Sequence, residues 1–322
     1  MRALVLLSGG LDSLLAARLL MEQGIEVVGV SFESPFFDAA RAAEGAEELG
    51  IELVVVDLTD ELLDVIEAPK YGFGRNMNPC IDCHALMVRK ASELMRKLDA
   101  SFVATGEVVG QRPKSQMRYG LQAVERESGL KGYLIRPLSA KLLEPTIPEQ
   151  EGWVDRSRLL GLHGRTRKPQ MELAARYGIT RYESPAGGCL LTDENYARVA
   201  RDLRDHEGLN AETIGLLSLG RQFRLSDNAR LTVGRNHSEN EQLFSLKPPG
   251  AFYLKVLGRK GPVGVLTGTP TEDDERLAAS VVARYADTGE DDTVTVEVQS
   301  GSSSHTVDVA PMSTREVRRL AI

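Results

Sequence analysis

The sequence predicts an α/β fold with a parallel sheet, followed by a smaller α+β domain. Short apolar and β-branched runs alternate with helical segments through the first half of the chain, and closely spaced strands begin near residue 221. A βαβαβ alternation indicates a parallel sheet that binds ligands at the carboxyl ends of its strands. We therefore predict domains at residues 1–193 and 221–322, joined by a helical linker at 194–220.

The first strand and the turn after it are the best-defined element of the sequence. An apolar strand at residues 4–7 runs directly into Ser8-Gly9-Gly10-Leu11-Asp12-Ser13 and then into apolar helical spacing. Two adjacent glycines allow consecutive backbone N–H groups to face one concavity, and Asp12 or Ser13 is expected to cap the helix. Such a turn predicts a phosphate site.

The remaining elements follow from periodicity, glycine stops and β-branched runs. In the first domain we predict strands at 25–32, 51–56, 100–105 and 133–136, and helices at 38–49, 84–98 and 116–127. In the second half we predict helices at 194–207, 212–219, 238–246 and 272–286, and strands at 223–225, 231–234, 252–257, 263–267, 294–298 and 306–309.

Composition restricts the class of protein. The net charge of −7 argues against a protein that coats nucleic acid through bulk charge alone, although local basic patches remain possible. The N-terminal apolar run is too short for a signal sequence or a membrane span, so we expect a cytoplasmic protein without membrane contact. An odd number of cysteines, three, makes a disulfide framework unlikely and leaves a metal or redox role open.

The turn at Ser8 to Ser13 has neither the lysine of a G-x-x-x-x-G-K-[ST] loop nor the third glycine of a dinucleotide fingerprint. It resembles the S-G-G-x-D-S loop of the PP-loop ATP pyrophosphatases, whose domain is of the adenine nucleotide alpha hydrolase type. The resemblance implies ATP and Mg²⁺, with cleavage of ATP between its α and β phosphates. Its expected ligand contacts are Ser8, Gly9, Gly10, Asp12 and Ser13 at the phosphates or metal, Ser31 and Phe32 near adenine, and Gly106 at the nucleotide. Phe32 is equally compatible with a place in the core.

The three cysteines lie in two loops of the first domain. Cys80 and Cys83 form a C-x-x-C pair after a segment rich in Gly, Pro and Asn, and Cys189 follows Pro185-Ala186-Gly187-Gly188. We expect the helix N-terminus to lower the pKa of the C-x-x-C thiols. The residues alone allow a zinc site that recruits His84, a 4Fe–4S cluster with three cysteines, or a persulfide relay.

The cysteine pattern together with the turn resembles the 4-thiouridine synthetase-like branch of the PP-loop family. The resemblance implies a 4Fe–4S cluster held by Cys80, Cys83 and Cys189, with Asp12, Cys80 and Cys189 as catalytic residues. It also implies tRNA as substrate, and sulfide or a persulfide-carrying protein such as a cysteine desulfurase as sulfur donor. Better-known members carry an N-terminal THUMP region or a rhodanese domain, and we expect neither because the first strand begins at once.

Basic residues of the first domain are candidates for RNA contact. Arg112 and Lys114 lie in the polar loop 106–116 at the carboxyl end of a predicted strand. Arg165 and Arg167 belong to a basic run that also contains Arg156, Arg158 and Lys168. The alternative for both sets is a solvated charged surface.

The second domain resembles the RNA-binding domain of the NFACT proteins, through Val233-Gly234-Arg235-Asn236 and Glu239 to Leu243. Arg224, Arg230, Arg235 and His237 would form a basic strip, with Arg235 as the RNA-binding candidate. A dimerisation or lid module is the alternative, and a homodimer is possible.

These observations predict an ATP-dependent tRNA sulfurtransferase that adenylates a uridine and replaces its carbonyl oxygen with sulfur. Three alternatives stay open: a PP-loop ligase or amidotransferase acting on a small molecule, an iron–sulfur desulfidase acting on thiolated bases, and a non-catalytic RNA-binding protein.

Overall fold

A computed structural model describes residues 1–182, 188–288 and 293–322. These residues form two compact units, Met1–Thr192 and Asp193–Ile322. The glycine-rich motif before the third cysteine falls partly outside the described residues, because Pro185, Ala186 and Gly187 lie in the first gap. Cys189 itself is described and belongs to the first unit.

The first unit alternates strands and helices as predicted. Its strands are β1 (Arg2–Leu6), β2 (Glu26–Glu33), β3 (Glu52–Asp57), β4 (Phe102–Thr105) and β5 (Leu134–Ile135). Its helices are α1 (Leu11–Met21), α2 (Ala40–Leu49), α3 (Thr59–Glu67), α4 (Cys80–Lys97), α5 (Arg118–Ser128), α6 (Ile147–Gln150) and α7 (Lys168–Tyr177).

The strands of this unit form a parallel sheet in the order β3-β2-β1-β4-β5, which confirms the predicted fold class. Leu6 at the end of β1 pairs with Val30 on one side and with Thr105 on the other. Buried side chains of β1 and α1 lie at the centre of the core. Because β1 is covered on both faces, its sequence is a continuous apolar run. The carboxyl ends of β1, β2 and β4 therefore meet at one edge of the sheet.

Two differences from the sequence prediction concern the site. The helix expected at 84–98 begins earlier, at Cys80, so that both cysteines of the C-x-x-C pair lie in its first turn. Helix α7, which starts at Lys168 with a proline in its first turn, was not predicted. Its buried residues Leu173 and Ala174 pack in the same core as α1, and the basic residues nearby obscured that short apolar face.

The second unit is an α+β domain with an antiparallel sheet. Its strands are β6 (Arg221–Ser226), β7 (Ala229–Val233), β8 (Phe252–Val256), β9 (Gly264–Gly268), β10 (Val294–Ser300) and β11 (Ser303–Val309). Its helices are α8 (Glu194–Glu207), α9 (Ala211–Ile214), α10 (His237–Leu246), α11 (Glu272–Arg284) and α12 (Thr314–Leu320). The strand order is β11-β10-β8-β9-β7-β6.

The core of this unit lies between the sheet and α11, whose alanine and valine face packs on β7, β8 and β10. The segment predicted as a helical linker, 194–220, belongs to this compact unit rather than standing between two domains. In the described parts of the chain, every helix is too short or too polar to cross a membrane.

Candidate nucleotide and thiol site

The turn after β1 adopts a conformation that only glycine can supply at its first glycine position. Gly9 has φ +70°, and a Cβ there would lie 2.5 Å from the backbone carbonyl carbon of Arg41. Ser13 Oγ donates a hydrogen bond to the Gly10 carbonyl oxygen at 2.8 Å. No side chain caps α1, so the expectation that Asp12 or Ser13 would do so is wrong. An uncapped helix N-terminus after a tight turn is suited to bind an anion.

The loop after β4 lies directly against this turn. A Cβ at Gly106 would lie 2.5 Å from the backbone carbon of Asp12 and 2.5 Å from the backbone nitrogen of Ser13. Because both neighbours are backbone atoms, neither can move aside as a flexible side chain would. Glycine at this position therefore lets the end of β4 contact the turn from Ser8 to Ser13, called the nucleotide turn below after its predicted ligand. Contact of Gly106 with a nucleotide stays a prediction.

Asp12 is held by a side chain that the sequence analysis did not single out. Gln111 Nε2 donates to Asp12 Oδ2 at 2.6 Å. The other carboxylate oxygen, Oδ1, is buried and has no hydrogen-bond partner among the described residues. A buried carboxylate oxygen without a partner is unfavourable unless a ligand or cation completes its contacts. Asp12 therefore fits a role as a Mg²⁺ ligand beside a bound triphosphate.

The two residues expected near adenine lie on β2 and are buried. Ser31 and Phe32 are 3% and 5% exposed, on the strand next to β1. This burial matches the core alternative for the Phe32 ring. Their contact with adenine stays a prediction.

Cys80 and Cys83 occupy the first turn of α4, and hydrogen bonds hold the loop before them. Asp82 Oδ1 and Oδ2 accept from the backbone N–H groups of Lys70 and Tyr71, both at 3.1 Å. Asn78 Nδ2 donates to Cys80 Sγ at 3.1 Å. The loop that looked irregular in sequence is therefore pinned at both ends to the first turn of α4.

The third cysteine reaches the same place through two hydrogen bonds of its own segment. Asn76 Nδ2 donates to the Thr192 carbonyl oxygen at 2.7 Å, and the Leu190 N–H donates to the Phe36 carbonyl oxygen at 3.0 Å. These contacts place Cys189 close enough to the C-x-x-C pair for the thiols to interact electrostatically. The two bonds bring the segment of Cys189 to the loop before the C-x-x-C pair, and the union of the three thiols in one site stays a prediction.

The Cys83 thiol does not have the lowered pKa that a helix N-terminus suggested. Burial raises the pKa of the Cys83 thiol far above its usual value, and the neighbouring Cys189 and Cys80 thiols raise it further. Burial also raises the pKa of Cys189 to about 11, although the nearby backbone N–H groups of Leu191 and Thr192 act to lower it. The expectation of a low-pKa thiol is therefore wrong for Cys83, because burial outweighs the effect of the helix N-terminus.

The cysteine site has the donors that an iron–sulfur cluster uses. The described residues contain no group of three His, Cys, Asp or Glu side chains arranged around a single metal ion. The cysteines of a cluster each bind a different iron, so they need not surround one point. An N–H donor already reaches the sulfur of Cys80, as in iron–sulfur sites. The three thiols fit such a cluster by donor type.

A buried ion-pair network lies between the nucleotide turn and α4. Glu107, which follows Gly106, accepts from Arg136 Nε at 2.9 Å and from Thr105 Oγ1 at 3.0 Å, and it pairs with His84 Nδ1 at 3.0 Å. Burial alone would raise the pKa of Glu107, but Arg136 and then His84 hold it at about 2. Because His84 directly follows Cys83, this network connects the nucleotide loop to the thiol helix. Its bond to Glu107 also accounts for His84 without a zinc ion.

The basic candidates of the first unit divide into exposed and internally bonded residues. Arg112 and Arg165 are exposed, while Arg167 is half-buried. Lys114 Nζ donates to the Gly72 and Phe73 carbonyl oxygens at 3.0 and 2.6 Å, so its ammonium group holds the loop before α4. RNA contact by these residues stays a prediction.

The basic strip expected in the second unit is not formed. Arg230 is fully buried, and Arg224 forms ion pairs with Asp202 and Glu207. Arg235 pairs with Glu239 at 2.6 Å while remaining half exposed. Arg230 and Arg224 instead connect the sheet to α8. The strip was predicted wrongly because strand periodicity alone does not reveal that a helix covers this face.

Comparisons with known proteins agree with both halves of this description. The family model described as thiamine biosynthesis protein (ThiI) matches residues 1–141, and the model described as NFACT protein RNA binding domain matches residues 220–320. A tRNA-specific 2-thiouridylase MnmA of Geotalea uraniireducens (strain Rf4) is 27% identical over 73% of this chain and 65% of that protein. The corresponding protein of Delftia acidovorans (strain DSM 14801 / SPH-1) is 31% identical over 66% of this chain and 63% of that protein.

The chain thus spans less than two thirds of the length of these curated relatives. Among solved structures, a 4-thiouridine synthetase in complex with RNA and bound ATP aligns with 67% of this chain and 52% of that chain, at 20% identity and a TM-score of 0.42. Residues 1–141 are thus similar to the ThiI family, and residues 220–320 to the NFACT RNA-binding domain family.

Proposed function

We propose that this protein is an ATP-dependent tRNA sulfurtransferase that adenylates a uridine and replaces its carbonyl oxygen with sulfur. The observation that carries the proposal is the hydrogen bond from Asn76, in the loop before the C-x-x-C pair, to Thr192, in the segment of Cys189, within the unit that also contains the nucleotide turn. An ATP-dependent ligase or amidotransferase acting on a small molecule gives these thiols no role. The family matches and the 2-thiouridylase relatives support the same reaction class.

The first step activates the base. The N–H groups at the start of α1 and the turn from Ser8 to Ser13 would bind the phosphates, and Asp12 Oδ1 would hold Mg²⁺. The uridine carbonyl oxygen attacks the α-phosphorus, and the bond to the β-phosphate oxygen breaks to release pyrophosphate. Adenylation converts a poor leaving oxygen into AMP. The target base must leave its stack to reach the turn.

The second step delivers sulfur. Hydrosulfide adds to the activated carbon, and AMP leaves with the former carbonyl oxygen, so that no net oxidation or reduction occurs. When bound to Cys80, Cys83 and Cys189, a 4Fe–4S cluster supplies an iron without a protein ligand that can hold the hydrosulfide.

A persulfide route uses the same cysteines without a cluster. One cysteine accepts a persulfide sulfur from a donor protein such as a cysteine desulfurase, and its terminal sulfur attacks the activated base. A second cysteine then attacks the sulfur–sulfur bond, which leaves a disulfide that a thiol reductant must reduce.

The second unit would hold the tRNA. Its sequence matches an RNA-binding domain family, but Arg224 and Arg230 are internal. In the second unit we therefore expect RNA contact through the half-exposed Arg235. In the first unit we expect it through the exposed Arg112 and Arg165.

The test measures thiolated nucleoside in unmodified tRNA after incubation with ATP, Mg²⁺ and sulfide, using protein purified without oxygen. Iron and acid-labile sulfide are measured in the same preparation, for the wild type and for Cys189→Ala. Thiolation that depends on iron supports the cluster route, and thiolation by iron-free protein with a persulfide donor supports the relay. Wild-type protein that carries iron and binds ATP but neither thiolates tRNA nor releases pyrophosphate with it would overturn the proposal.

A further inference from the structure

Two glutamines, the half-buried Gln111 and the buried Gln170, form a hydrogen-bonded chain that ends on the nucleotide turn. Gln111 Nε2 donates to Asp12 Oδ2 at 2.6 Å, and Gln170 Nε2 donates to Gln111 Oε1 at 3.2 Å. Gln170 is 1% exposed and lies in the first turn of α7. The chain therefore joins three segments that are far apart in sequence: the start of α1, the loop after β4 and the start of α7.

The direction of the chain is fixed by chemistry. An ionised carboxylate only accepts hydrogen bonds, so the Gln111 amide must present its NH₂ group to Asp12. Its carbonyl oxygen then faces Gln170, which must donate. Each amide orientation follows from the one before it, and Gln170 in turn holds the Gln111 amide that contacts Asp12.

We infer that Gln111 and Gln170 are positioning residues that orient the Asp12 carboxylate for Mg²⁺ and ATP. With Oδ2 occupied by Gln111, the second oxygen Oδ1 is left without a partner among the described residues. A carboxylate with one oxygen bound to a neighbouring side chain and the other open is arranged as ligating carboxylates usually are. The inference rests on the ATP and Mg²⁺ part of the proposed function, and not on the identity of the base or the sulfur donor.

The burial of Gln170 is difficult to explain by packing alone. A fully buried glutamine keeps its amide from water, and Gln170 Oε1 has no hydrogen-bond partner in the part of the chain that the structure describes. A methionine of similar size would fill this position without an unpartnered polar atom. A polar residue with that disadvantage is consistent with a role toward Asp12.

The chain also gives the start of α7 a route to the nucleotide turn. Gln170 lies two residues after Lys168, whose side chain is 84% exposed, and five residues after the exposed Arg165. RNA bound to that basic segment would constrain the first turn of α7. Such binding would then change the orientation of the Asp12 carboxylate through the two hydrogen bonds of the chain.

The experiment measures binding of α,β-methylene-ATP by calorimetry at increasing Mg²⁺ concentration, with the full chain. The variants are Gln170→Met, Gln111→Met and the double variant, and the matched control is Gln150→Met. Gln150 is an exposed glutamine of α6 whose amide donates only to the Pro145 carbonyl oxygen. The melting temperature of each variant is measured in parallel, so that a loss of folding is recognised.

We expect each single variant to need at least roughly tenfold more Mg²⁺ for half-maximal binding, as with other residues that orient metal ligands. The double variant should show no further shift, because either change already breaks the same chain. Gln150→Met should bind as the wild type does. A packing role alone would lower the melting temperature without moving the Mg²⁺ dependence.

A second variant, Gln170→Glu, reverses the direction of the chain. Its carboxylate would accept from Gln111 Nε2, so that Gln111 would turn its carbonyl oxygen toward Asp12. Two acceptors would then face each other, and the Mg²⁺ shift should exceed that of Gln170→Met. Unchanged Mg²⁺ dependence in folded Gln170→Met and Gln170→Glu, or additive shifts in the double variant, would overturn the inference. Mg²⁺-dependent binding by wild-type protein that never thiolates tRNA would instead refute the sulfurtransferase proposal alone.

Discussion

The nucleotide turn is formed by six consecutive residues, whereas the thiol site depends on segments that are far apart in the chain. Those segments meet through the hydrogen bond between Asn76 and Thr192, which are 116 positions apart. In the turn, a positive φ at Gly9 and a bond from Ser13 to Gly10 are local. In the thiol site, Cys189 depends on contacts with Asn76 and Phe36 that no sequence motif encodes. Damage to the thiol site should therefore leave nucleotide binding at the turn intact. A change at the end of β4, which contacts the turn and continues into the Glu107 network, should affect both regions.

The largest effect is expected from Cys189→Ser, which separates the two regions completely. The variant should lose tRNA thiolation because a hydroxyl replaces one of three thiols, while binding of an ATP analogue stays at the wild-type level. Nucleoside analysis and calorimetry measure the two quantities. Leu190→Ala, a change to an exposed neighbour, is the control. Full thiolation by Cys189→Ser would show that the third thiol has no part in the reaction.

Glu107→Gln tests the network between the two regions. The change leaves Arg136, whose side chain is 1% exposed, without its buried anionic partner, and Glu125 remains at the edge. Breaking a buried ion pair from one side typically lowers the free energy of unfolding by about 3–5 kcal/mol. Denaturant unfolding of the wild type and of Glu107→Gln measures this difference in free energy. Glu26→Gln, which breaks the surface pair with Arg2, should change the stability little, and equal effects of the two variants would contradict a special role for Glu107.

The same carboxylate predicts a pH dependence of stability. The pKa of Glu107 is about 2 in the folded protein, below its ordinary value of 4.5, so folding favours the ionised form. Its contribution is complete above pH 4.5 and is lost as the pH falls toward 2, by about 3 kcal/mol. The wild type should therefore lose more unfolding free energy over this range than Glu107→Gln does. If the unfolding free energies of the two proteins fell in parallel with pH, Glu107 would not be the source of this dependence.

Gly106→Ala should damage the turn more than the thiols. Its Cβ would stand 2.5 Å from backbone atoms of Asp12 and Ser13, and such overpacking costs about 1–3 kcal/mol. We expect ATP-analogue binding to weaken by roughly tenfold to a hundredfold. Gly161→Ala is the matched control, because its Cβ would meet nothing closer than 3.4 Å. Unchanged binding in Gly106→Ala would mean that the turn and β4 separate when ATP binds.

The smallest effect is expected from Asn76→Ala. The variant loses the donor to the Thr192 carbonyl oxygen, at a cost of about 1 kcal/mol, and should loosen the segment that carries Cys189. Alkylation of Cys189, followed by mass spectrometry, should become faster. Asn210→Ala removes a helix cap of similar energy in the second unit and should leave that rate unchanged. Equal rates in all three proteins would show that Asn76 does not hold the cysteine segment.

Local patterns were sufficient for most of the elements but not for their side-chain partners. The parallel sheet, the nucleotide turn and the second α+β unit follow from periodicity and glycine placement. Helix α7 was missed because its buried face is short and basic residues surround it. Glu107 and Gln111 lie within the loop identified as functional, yet their partners, Arg136 and Gln170, lie on other elements and leave no mark in the loop itself.

The sequence by itself determined the turn, the sheet and the similarity to two families, because each depends on residues close together in the chain or on a repeating period. Only the tertiary structure decided which charges are available and how ionisable groups behave. Arg230 became internal and the Cys83 thiol acquired a raised pKa because burial depends on what distant segments cover. The orientation of Asp12 by Gln111 and Gln170 belongs to the same class, since a hydrogen bond between distant segments forms only after the chain has folded.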